Sequence, residues 1–274
     1  MRVAVCFKVT PDYEALRPAD WATGVAAGEV EARYVRRVLN CFDESALELA
    51  LRLREARAGA GASTRLAAVS VGGRDADTYL KTLTALGYER AARVDAGAAL
   101  DFAPGATARL LAAFARGAAR SEVVLLGCRS GPGDSGTVPF LVAELLGWPC
   151  LTRVLEIEPL DGDRLRVACA AGEGLLRVTV RPPCVLAVGN AVVSHLRVPT
   201  LTARLAHRDE AVEVLSGADL GVDVAEARGR EPAAFGELAI VDRARPGVIV
   251  DGASPQEKAR ALFDEHLKGL VGRL

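Results

Sequence analysis

Short, largely apolar segments alternate with helix-like segments through the first half of the chain, and this alternation restricts the fold more than any other feature. The apolar segments are RVAVCFKV (2–9), TRLAAVSV (64–71), RAARVD (90–95) and SEVVLLG (121–127). Their apolar residues occur in runs instead of at every second position, which is typical of parallel strands covered on both faces. We therefore expect these segments to form buried, parallel strands.

The segments between and after these strands have the spacing of amphipathic helices. They are Asn40 to Gly59, Arg74 to Leu86, Pro104 to Gly117 and Val138 to Leu146. Strands that alternate with helices and are joined by right-handed crossovers build an open sheet with helices on both faces. The sequence therefore predicts an α/β fold with a doubly wound, mostly parallel sheet.

The pattern changes after Pro149. Strand-like segments at 154–157, 164–169 and 174–180 are separated by turn signals, and CVLAVGN (184–190) is a further apolar segment. Short strands joined by tight turns favour antiparallel pairing. We expect an antiparallel hairpin here, followed by a final core strand.

The segment from His195 onward has weaker periodicity and ends in a candidate helix. Ser254 and Glu257 form a capping-box pattern, with Pro255 at the first helical position. An apolar stripe follows at helical spacing: Ala259, Leu262, Phe263, Leu267, Leu270, Val271 and Leu274. This stripe has to be buried on the chain's own domain or on another subunit. The sequence predicts an α/β nucleotide-binding domain over 1–194 and an extended C-terminal arm, ending in this helix, over 195–274.

Composition excludes several classes of protein. Lys plus Arg number 34 and Asp plus Glu 35, and aromatic residues make up 5%, which excludes a dedicated nucleic-acid binder with a basic or stacking surface. The sequence has no apolar run of the ~18 residues that a membrane span needs, so we expect no membrane insertion. The six cysteines form no C-x-x-C pair, and the N-terminus lacks a signal-peptide pattern. These features predict a cytoplasmic protein with reduced, buried thiols.

The strongest local signal is a glycine-rich loop over 130–137, SGPGDSGT, which leaves a strand and enters a helix. Free amides at a helix start suit a phosphate, and Ser135 and Thr137 add hydroxyl donors. The loop lacks the lysine of a P-loop, and the first strand is not followed by G-x-G-x-x-G. An ordinary glycine-rich connection explains the pattern equally well at this point.

The sequence offers no clear catalytic or metal centre. Ser135 lacks a recognisable His and Asp partner pattern, and the histidines have no metal-ligand spacing. The Asp12/Glu14 and Asp43/Glu44 pairs are the candidate catalytic carboxylates, but Glu14 and Glu44 are better interpreted as helix-start or solvated residues. We therefore predict no catalytic residue and no metal ligand.

A series of motifs along the chain is similar to one known family. The segments are VAVCFKVTPDY (3–13), NCFDESALELALRLRE (40–55), ALGYERAARVD (85–95), GCRSGPGDSGTVPFLVAELLGWP (127–149), HLRVPTLTARL (195–205) and GADLGVD (217–223). In order and spacing they resemble the beta subunit of electron transfer flavoproteins, whose fold is Rossmann-like.

This resemblance implies a function. Family members form a heterodimer with a larger alpha subunit that holds most of an FAD. The heterodimer takes electrons from a flavin-dependent dehydrogenase and passes them on, without turnover chemistry in the beta subunit. The beta subunit usually holds a structural AMP, and in electron-bifurcating relatives the same pocket holds a second FAD.

The resemblance also implies site residues. The AMP phosphate is expected at the amides of Gly136, Thr137 and Val138, with Ser135 nearby. The adenosine is expected against Cys6, Lys8, Asn40, Val71, Gly127 and Ser130. Tyr13 and Phe42 match positions near the FAD, with interface core as the simpler interpretation. Leu201 matches a leucine that docks into partner dehydrogenases.

Departures from the family pattern leave alternatives open. Arg129, Ser130, Gly131 and Pro132 replace the usual Gln-Ala-Ile-Asp, and LAHRDEAV (205–212) replaces a basic run. The alternatives are an ATP-using enzyme and a nucleotide-sensing stress-type module of the same fold. Enzymes of the first kind tend to carry a glycine- and serine-rich loop after the first strand, which this sequence lacks, and the long C-terminal arm argues against the second.

Overall fold

The computed structural model describes residues 1–97, 100–131, 133–191, 193, 195–232, 236–241, 244 and 247–271. Pro132 of the glycine-rich loop and Leu274 of the C-terminal stripe lie outside the described residues.

The strands form one large sheet and one small one. Their bounds are β1 Arg2–Cys6, β2 Val9–Pro11, β3 Arg37–Leu39, β4 Arg65–Val71, β5 Arg90–Asp95, β6 Val123–Gly127, β7 Cys150–Pro159, β8 Leu165–Ala171, β9 Gly174–Val180, β10 Cys184–Val188 and β11 Glu213–Ser216. The large sheet has the order β11-β5-β4-β1-β6-β10-β7-β8-β9, and β2 and β3 form the small antiparallel sheet. From β11 to β7 all neighbours are parallel, while β8 and β9 are antiparallel. The predicted mostly parallel α/β sheet is confirmed.

Helices flank the sheet and continue into the C-terminal segment. Their bounds are α1 Pro18–Ala27, α2 Cys41–Gly59, α3 Asp77–Ala85, α4 Pro104–Ala113, α5 Val138–Leu146, α6 Leu201–Ala206, α7 Val224–Gly229, α8 Pro255–Leu262 and α9 Lys268–Val271. A π-helical turn extends α4 over Phe114–Ala118, and another joins α8 to α9 over Phe263–Leu267.

The core has two layers because successive strand residues face opposite sides of the sheet. Val3 and Val5 of β1 pack with α2 and α3 on one face. Ala4 and Cys6 pack with α4 and α5 on the other. Both faces are therefore covered, as the apolar strand segments predict.

Two predicted strand boundaries differ from the structure. The segment 2–9, expected as one strand, is divided between β1 and β2, because the backbone leaves the sheet after Cys6 and the amide of Lys8 instead donates to the Asp43 side chain at 2.9 Å. The expected antiparallel hairpin is a three-stranded meander, β7-β8-β9, followed by the predicted core strand β10.

The C-terminal segment contributes β11, which the sequence analysis missed. This four-residue strand pairs in parallel with β5 at the edge of the sheet. Its sequence, EVLS, contains only two apolar residues, too few to form the apolar run that marks the other parallel strands. Val214 is 48% exposed, and Leu215 packs on the core. The position of the strand is instead held by the paired hydrogen bonds of Arg90 to Glu213, at 2.8 and 2.5 Å.

The predicted C-terminal helix is present and begins where expected. Ser254 Oγ accepts a hydrogen bond from the amide of Glu257 at 3.2 Å, and Pro255 is the first helical residue. The large apolar side chains of the stripe from Leu262 to Val271 are between 39% and 57% exposed. Among the described helices, none is long and apolar enough to span a bilayer.

Candidate functional site

A cavity of about 940 Å³ opens where β1, β4 and β6 end at their carboxyl termini. Parallel α/β sheets bind ligands at this edge, and the volume is within the range of about 300–1,000 Å³ found for small-molecule and cofactor sites. Further lining residues come from the glycine-rich loop, the start of α4 with the residues before it, and the chain after α7: Gly133 to Gly136, Leu100 to Pro104, and Glu231, Pro232, Gly236 and Glu237.

Most of the predicted site residues meet at this cavity. Those that line it are Cys6, Lys8, Tyr13, Val71, Gly127, Ser130, Ser135, Gly136 and Val138. Asn40, Phe42 and Thr137 lie beside the lining: the side chain of Asn40 donates to the carbonyl of Arg129 at 2.9 Å, and the hydroxyls of Thr137 and Ser135 are 3.0 Å apart. Phe42 packs close to Gly127, since a Cβ at that glycine would lie 2.8 Å from its Cβ. Leu201 lies elsewhere, on α6.

In the part of the chain that the structure describes, the glycine-rich loop leaves backbone amides without acceptors at the end of α5 that borders the cavity. The amide of Asp134 donates to the carbonyl of Ser130 at 3.1 Å, which forms a turn before the helix. Gly136 has a φ of +65°, and a Cβ there would lie 3.1 Å from the carbonyl oxygen of Cys128. The amides of Gly136 and Val138 donate to no acceptor among the described residues. The start of α5 is therefore a candidate anion site.

Asp43 organises the floor of the cavity, a role that the sequence analysis did not assign. One of its carboxylate oxygens accepts from the amide of Gly127 at 2.6 Å and the other from the amide of Lys8 at 2.9 Å. Burial raises the pKa of this carboxyl to about 6, although these hydrogen bonds and the side chain of Asn40 oppose the shift. Asp43 lies in the first turn of α2, so its carboxylate joins that helix to the end of β6 and to the backbone that follows β1.

Charge within the cavity is unevenly distributed. Burial lowers the pKa of the Lys8 ammonium, and the carboxylates of Asp101 and Asp43 oppose that change. The Lys8 Nζ atom lies 3.9 Å from Asp101, and Arg129 lies 3.3 Å from Asp134 across the loop. Among the described lining residues, carboxylates outnumber cationic groups. The cavity therefore favours a ligand with few negative charges.

The cysteines differ in their surroundings. Burial raises the pKa of the Cys6 thiol well above its usual range and that of Cys184 to about 12. These thiols stay protonated and pack as small apolar groups. Cys41 is exposed at the start of α2, so the prediction of buried thiols is wrong for this residue, because the first turn of the helix faces solvent there.

Of the two aromatic residues expected near a flavin, Tyr13 lines the cavity and Phe42 lies beside the lining, next to Gly127. The ring of Tyr13 packs against Trp21 with centroids 6.0 Å apart, in a small cluster with Leu16 and Val35. Phe42 is half-buried in the first turn of α2. Tyr13 therefore belongs to a small hydrophobic cluster and also borders the cavity.

The segment before α6 is fastened to α2 by ion pairs. Arg197 bonds the buried carboxylate of Glu48 at 2.7 Å and also pairs with Glu55. The amide of Leu196 donates to Glu44 at 3.1 Å. This attachment presents Leu201 with its side chain 71% exposed.

No cluster of three or more His, Cys, Asp or Glu side chains suited to a metal ion occurs among the residues that the structure describes. The described lining of the cavity combines amides, hydroxyls, charged side chains and apolar walls.

Sequence comparison identifies the family. A model described as "Electron transfer flavoprotein domain" matches residues 28–220. YgcR of Escherichia coli (strain K12), which carries the name of an electron transfer flavoprotein subunit, is 30% identical over 270 residues, covering 98% of each chain. The chain belongs to the electron transfer flavoprotein beta subunit family.

Other relatives of this family are more distant. The electron transfer flavoprotein subunit beta of Bradyrhizobium diazoefficiens is 28% identical over 225 residues, which cover 82% of this chain and 85% of that protein. The mitochondrial electron transfer flavoprotein subunit beta of Oryza sativa subsp. indica is 29% identical with the same two shares of coverage. The resemblance drawn from the motifs is confirmed, and the chain is a divergent electron transfer flavoprotein family member.

Proposed function

We propose that the chain is the beta subunit of a heterodimeric electron transfer flavoprotein that works in the cytoplasm and has no turnover chemistry of its own. Its heterodimer shuttles electrons from a flavin-dependent dehydrogenase through an FAD held mainly by an alpha subunit. The observation that carries the proposal is the cavity at the ends of β1, β4 and β6, with open amides at the start of α5, in a chain of this family.

The cavity fits an adenosine monophosphate. The amides of Gly136 and Val138, with the hydroxyl of Ser135, suit one phosphate. The apolar walls near Cys6 and Val71 suit an adenine. The excess of carboxylates around the remaining lining disfavours a triphosphate.

The flavin, when bound, supplies the electron-accepting and electron-donating chemistry. The chain's own contribution is to shield that group. Aromatic side chains such as Tyr13 and Phe42 exclude water beside a flavin and so influence its potential.

Two exposed apolar surfaces suit the partners. The stripe from Leu262 to Val271 suits packing on an alpha subunit, because apolar side chains at helical spacing remain uncovered there. Leu201 and Leu205 on α6 are 71% and 55% exposed, and an exposed leucine of this kind suits a pocket on a dehydrogenase.

Co-production of the full chain with the alpha subunit encoded in the same genome tests the proposal. We expect a yellow 1:1 complex, and we expect AMP among the small molecules released from it by heat. Release of a second FAD per complex, in place of AMP, would identify FAD as the ligand of the cavity.

Two outcomes would contradict the proposal. One is a stable, colourless monomer that ignores every candidate alpha subunit. The other is pyrophosphate release from ATP by the chain alone, which would support an ATP-using enzyme.

A further inference from the structure

One wall of the cavity is built by residues of the C-terminal segment that follow α7. Glu231, Pro232, Gly236 and Glu237 line the cavity. They follow α7 and precede α8, the helix with the uncovered apolar stripe. The same stretch of chain therefore borders the ligand cavity and leads to the proposed partner-binding surface.

The Glu231 side chain fastens this stretch to α4. Its Oε1 atom accepts a hydrogen bond from the amide of Ala106 at 2.7 Å, and Ala106 is fully buried. The amide belongs to the first turn of α4, where the helix dipole favours a negative charge. A charge-assisted bond of this kind is stronger than one between neutral groups.

Gly105 makes room for this carboxylate. A Cβ at position 105 would lie 2.9 Å from Oε1 of Glu231 and 3.3 Å from its carboxyl carbon. Glycine is a poorer helix former than alanine, so α4 here has a residue that costs helix stability but admits the Glu231 side chain.

The start of α4 is also in contact with the glycine-rich loop. A Cβ at Gly133 would lie 3.4 Å from two ring carbons of Phe102, which lies just before α4. Phe102 and Gly133 both line the cavity. Contacts therefore run from Glu231 through the first turn of α4 to the loop that carries the open amides.

We propose that Glu231 is a positioning residue: it fastens the stretch of chain after α7 over the cavity, so that nucleotide binding and the placement of that stretch are linked. The link to a nucleotide depends on the function proposed above, whereas the fastening itself depends only on the contacts of Glu231.

Titration of the full chain with AMP tests the link. We expect Glu231→Ala to weaken AMP binding by about tenfold, the effect of losing one charged hydrogen bond that shapes the site. Glu231→Gln keeps a carbonyl oxygen as an acceptor for the Ala106 amide, so we expect it to recover part of the affinity. Equal or tighter AMP binding by Glu231→Ala would overturn the link.

Trypsin cleavage after Arg230 tests the fastening without altering the residues around the cleaved bond. In Gly105→Ala the new methyl group displaces the Glu231 carboxylate, and we expect faster cleavage than in the wild-type chain, with or without AMP. Gly59→Ala in α2 is the matched control, because nothing lies within 4 Å of a Cβ there. We expect Gly59→Ala to be cleaved at the wild-type rate. We also expect AMP to slow cleavage of the wild-type chain and of Gly59→Ala.

The two proposals fail in different ways. If the wild-type chain binds no AMP, the proposed nucleotide site is wrong, and the cleavage comparison without AMP still decides the fastening. If Gly105→Ala is cleaved at the wild-type rate, the fastening is wrong, whatever the affinity for AMP.

Discussion

At the scale of single residues, the carboxylate of Asp43 joins helix α2 to the end of β6 and to the backbone that follows β1. Each of its oxygens accepts one backbone amide, from Gly127 and from Lys8. The sequence analysis interpreted Glu44 as a helix-start or solvated residue and assigned no structural role to Asp43, although both are acidic residues in the first turn of α2. Only the fold brings the partner amides to one of them.

Replacement of Asp43 by asparagine tests this role. An amide has one carbonyl oxygen, so its NH₂ group would face one of the two backbone donors. We expect Asp43→Asn to lower the free energy of unfolding by about 2 kcal/mol, measured by urea denaturation. Asp161→Asn, in the exposed turn between β7 and β8, is the control, and a similar loss there would contradict the assignment.

The raised pKa of Asp43 predicts a pH dependence of stability. Its pKa is about 6 in the folded protein against an ordinary value of 3.8, so the folded state binds the proton more tightly than the unfolded chain. Stability from this group is therefore greatest below about pH 4 and falls as the pH rises to about 6, by up to about 3 kcal/mol. Urea denaturation across this range should show the slope in the difference between the unfolding free energies of the wild type and Asp43→Asn, because the other carboxyl groups are present in both proteins. Parallel curves for the two proteins would contradict the shifted pKa.

Gly136 permits the conformation of the glycine-rich loop. An alanine there would carry a side chain at φ +65° and 3.1 Å from a carbonyl oxygen. We expect Gly136→Ala to lower the unfolding free energy by about 1–2 kcal/mol and to weaken AMP binding in calorimetric titration. Gly131→Ala is the matched control in the same loop, because a Cβ there meets nothing within 4 Å. Equal AMP affinities for the two variants would show that the loop is not part of the AMP-binding site.

At the scale of elements, one arginine makes ion pairs that attach the segment before α6 to α2. Arg197 bonds Glu48, whose carboxylate is buried on α2, and a partly exposed Arg52 is the other cation at that carboxylate. Burial raises the pKa of Glu48, but the hydrogen bonds of Arg197 and Arg52 outweigh it, so the pKa is lowered overall.

Removal of this arginine should destabilise the fold. We expect Arg197→Ala to lower the unfolding free energy by about 2 kcal/mol, less than for a fully buried pair because the guanidinium is partly exposed. Arg204→Ala, on the exposed surface of α6, should change it by less than about 0.5 kcal/mol. Thermal and urea denaturation of both variants check this, and equal losses would show that the Glu48 contact contributes nothing specific.

The elements differ in how far the sequence predicts them. The bounds of α5 agree with the expected Val138 to Leu146, because an apolar stripe lies between clear start and stop signals. β11 has no such signal, since its position depends on pairing with β5 and on the Arg90–Glu213 contact. The cavity is predicted only in part. Local motifs indicate the glycine-rich loop, but Asp43 and Glu231 reach the cavity from segments that are distant in sequence.

At the scale of the whole molecule, uncovered apolar side chains are concentrated toward the C-terminus. Val248 and Ile249 are 62% and 84% exposed, and Phe263 and Leu267 on the C-terminal stripe are also exposed. Such a surface on a chain with a well-packed sheet suits a permanent interface with another subunit. The division of the chain at 194/195 stays a prediction.

Charged substitutions on the stripe test this interface. We expect Phe263→Asp with Leu267→Asp to abolish the complex with the alpha subunit in gel filtration, because each aspartate would have to be desolvated on binding. The melting temperature of the isolated chain should stay within about 1–2 °C of the wild-type value, since both side chains are exposed in it. Glu265→Gln, between them, is the control. A complex that survives the double substitution would place the interface elsewhere.

The edge strand β11 has a consequence for how the protein is made. Arg90 of β5 precedes its contact Glu213 of β11 by 123 residues, and the intervening chain includes most of the sheet. During synthesis, β5 leaves the ribosome long before β11, the strand that covers its outer edge. Until β11 is made, the unpaired backbone of β5 can pair with another nascent chain. Translation speed through this intervening stretch should therefore influence the yield of active protein.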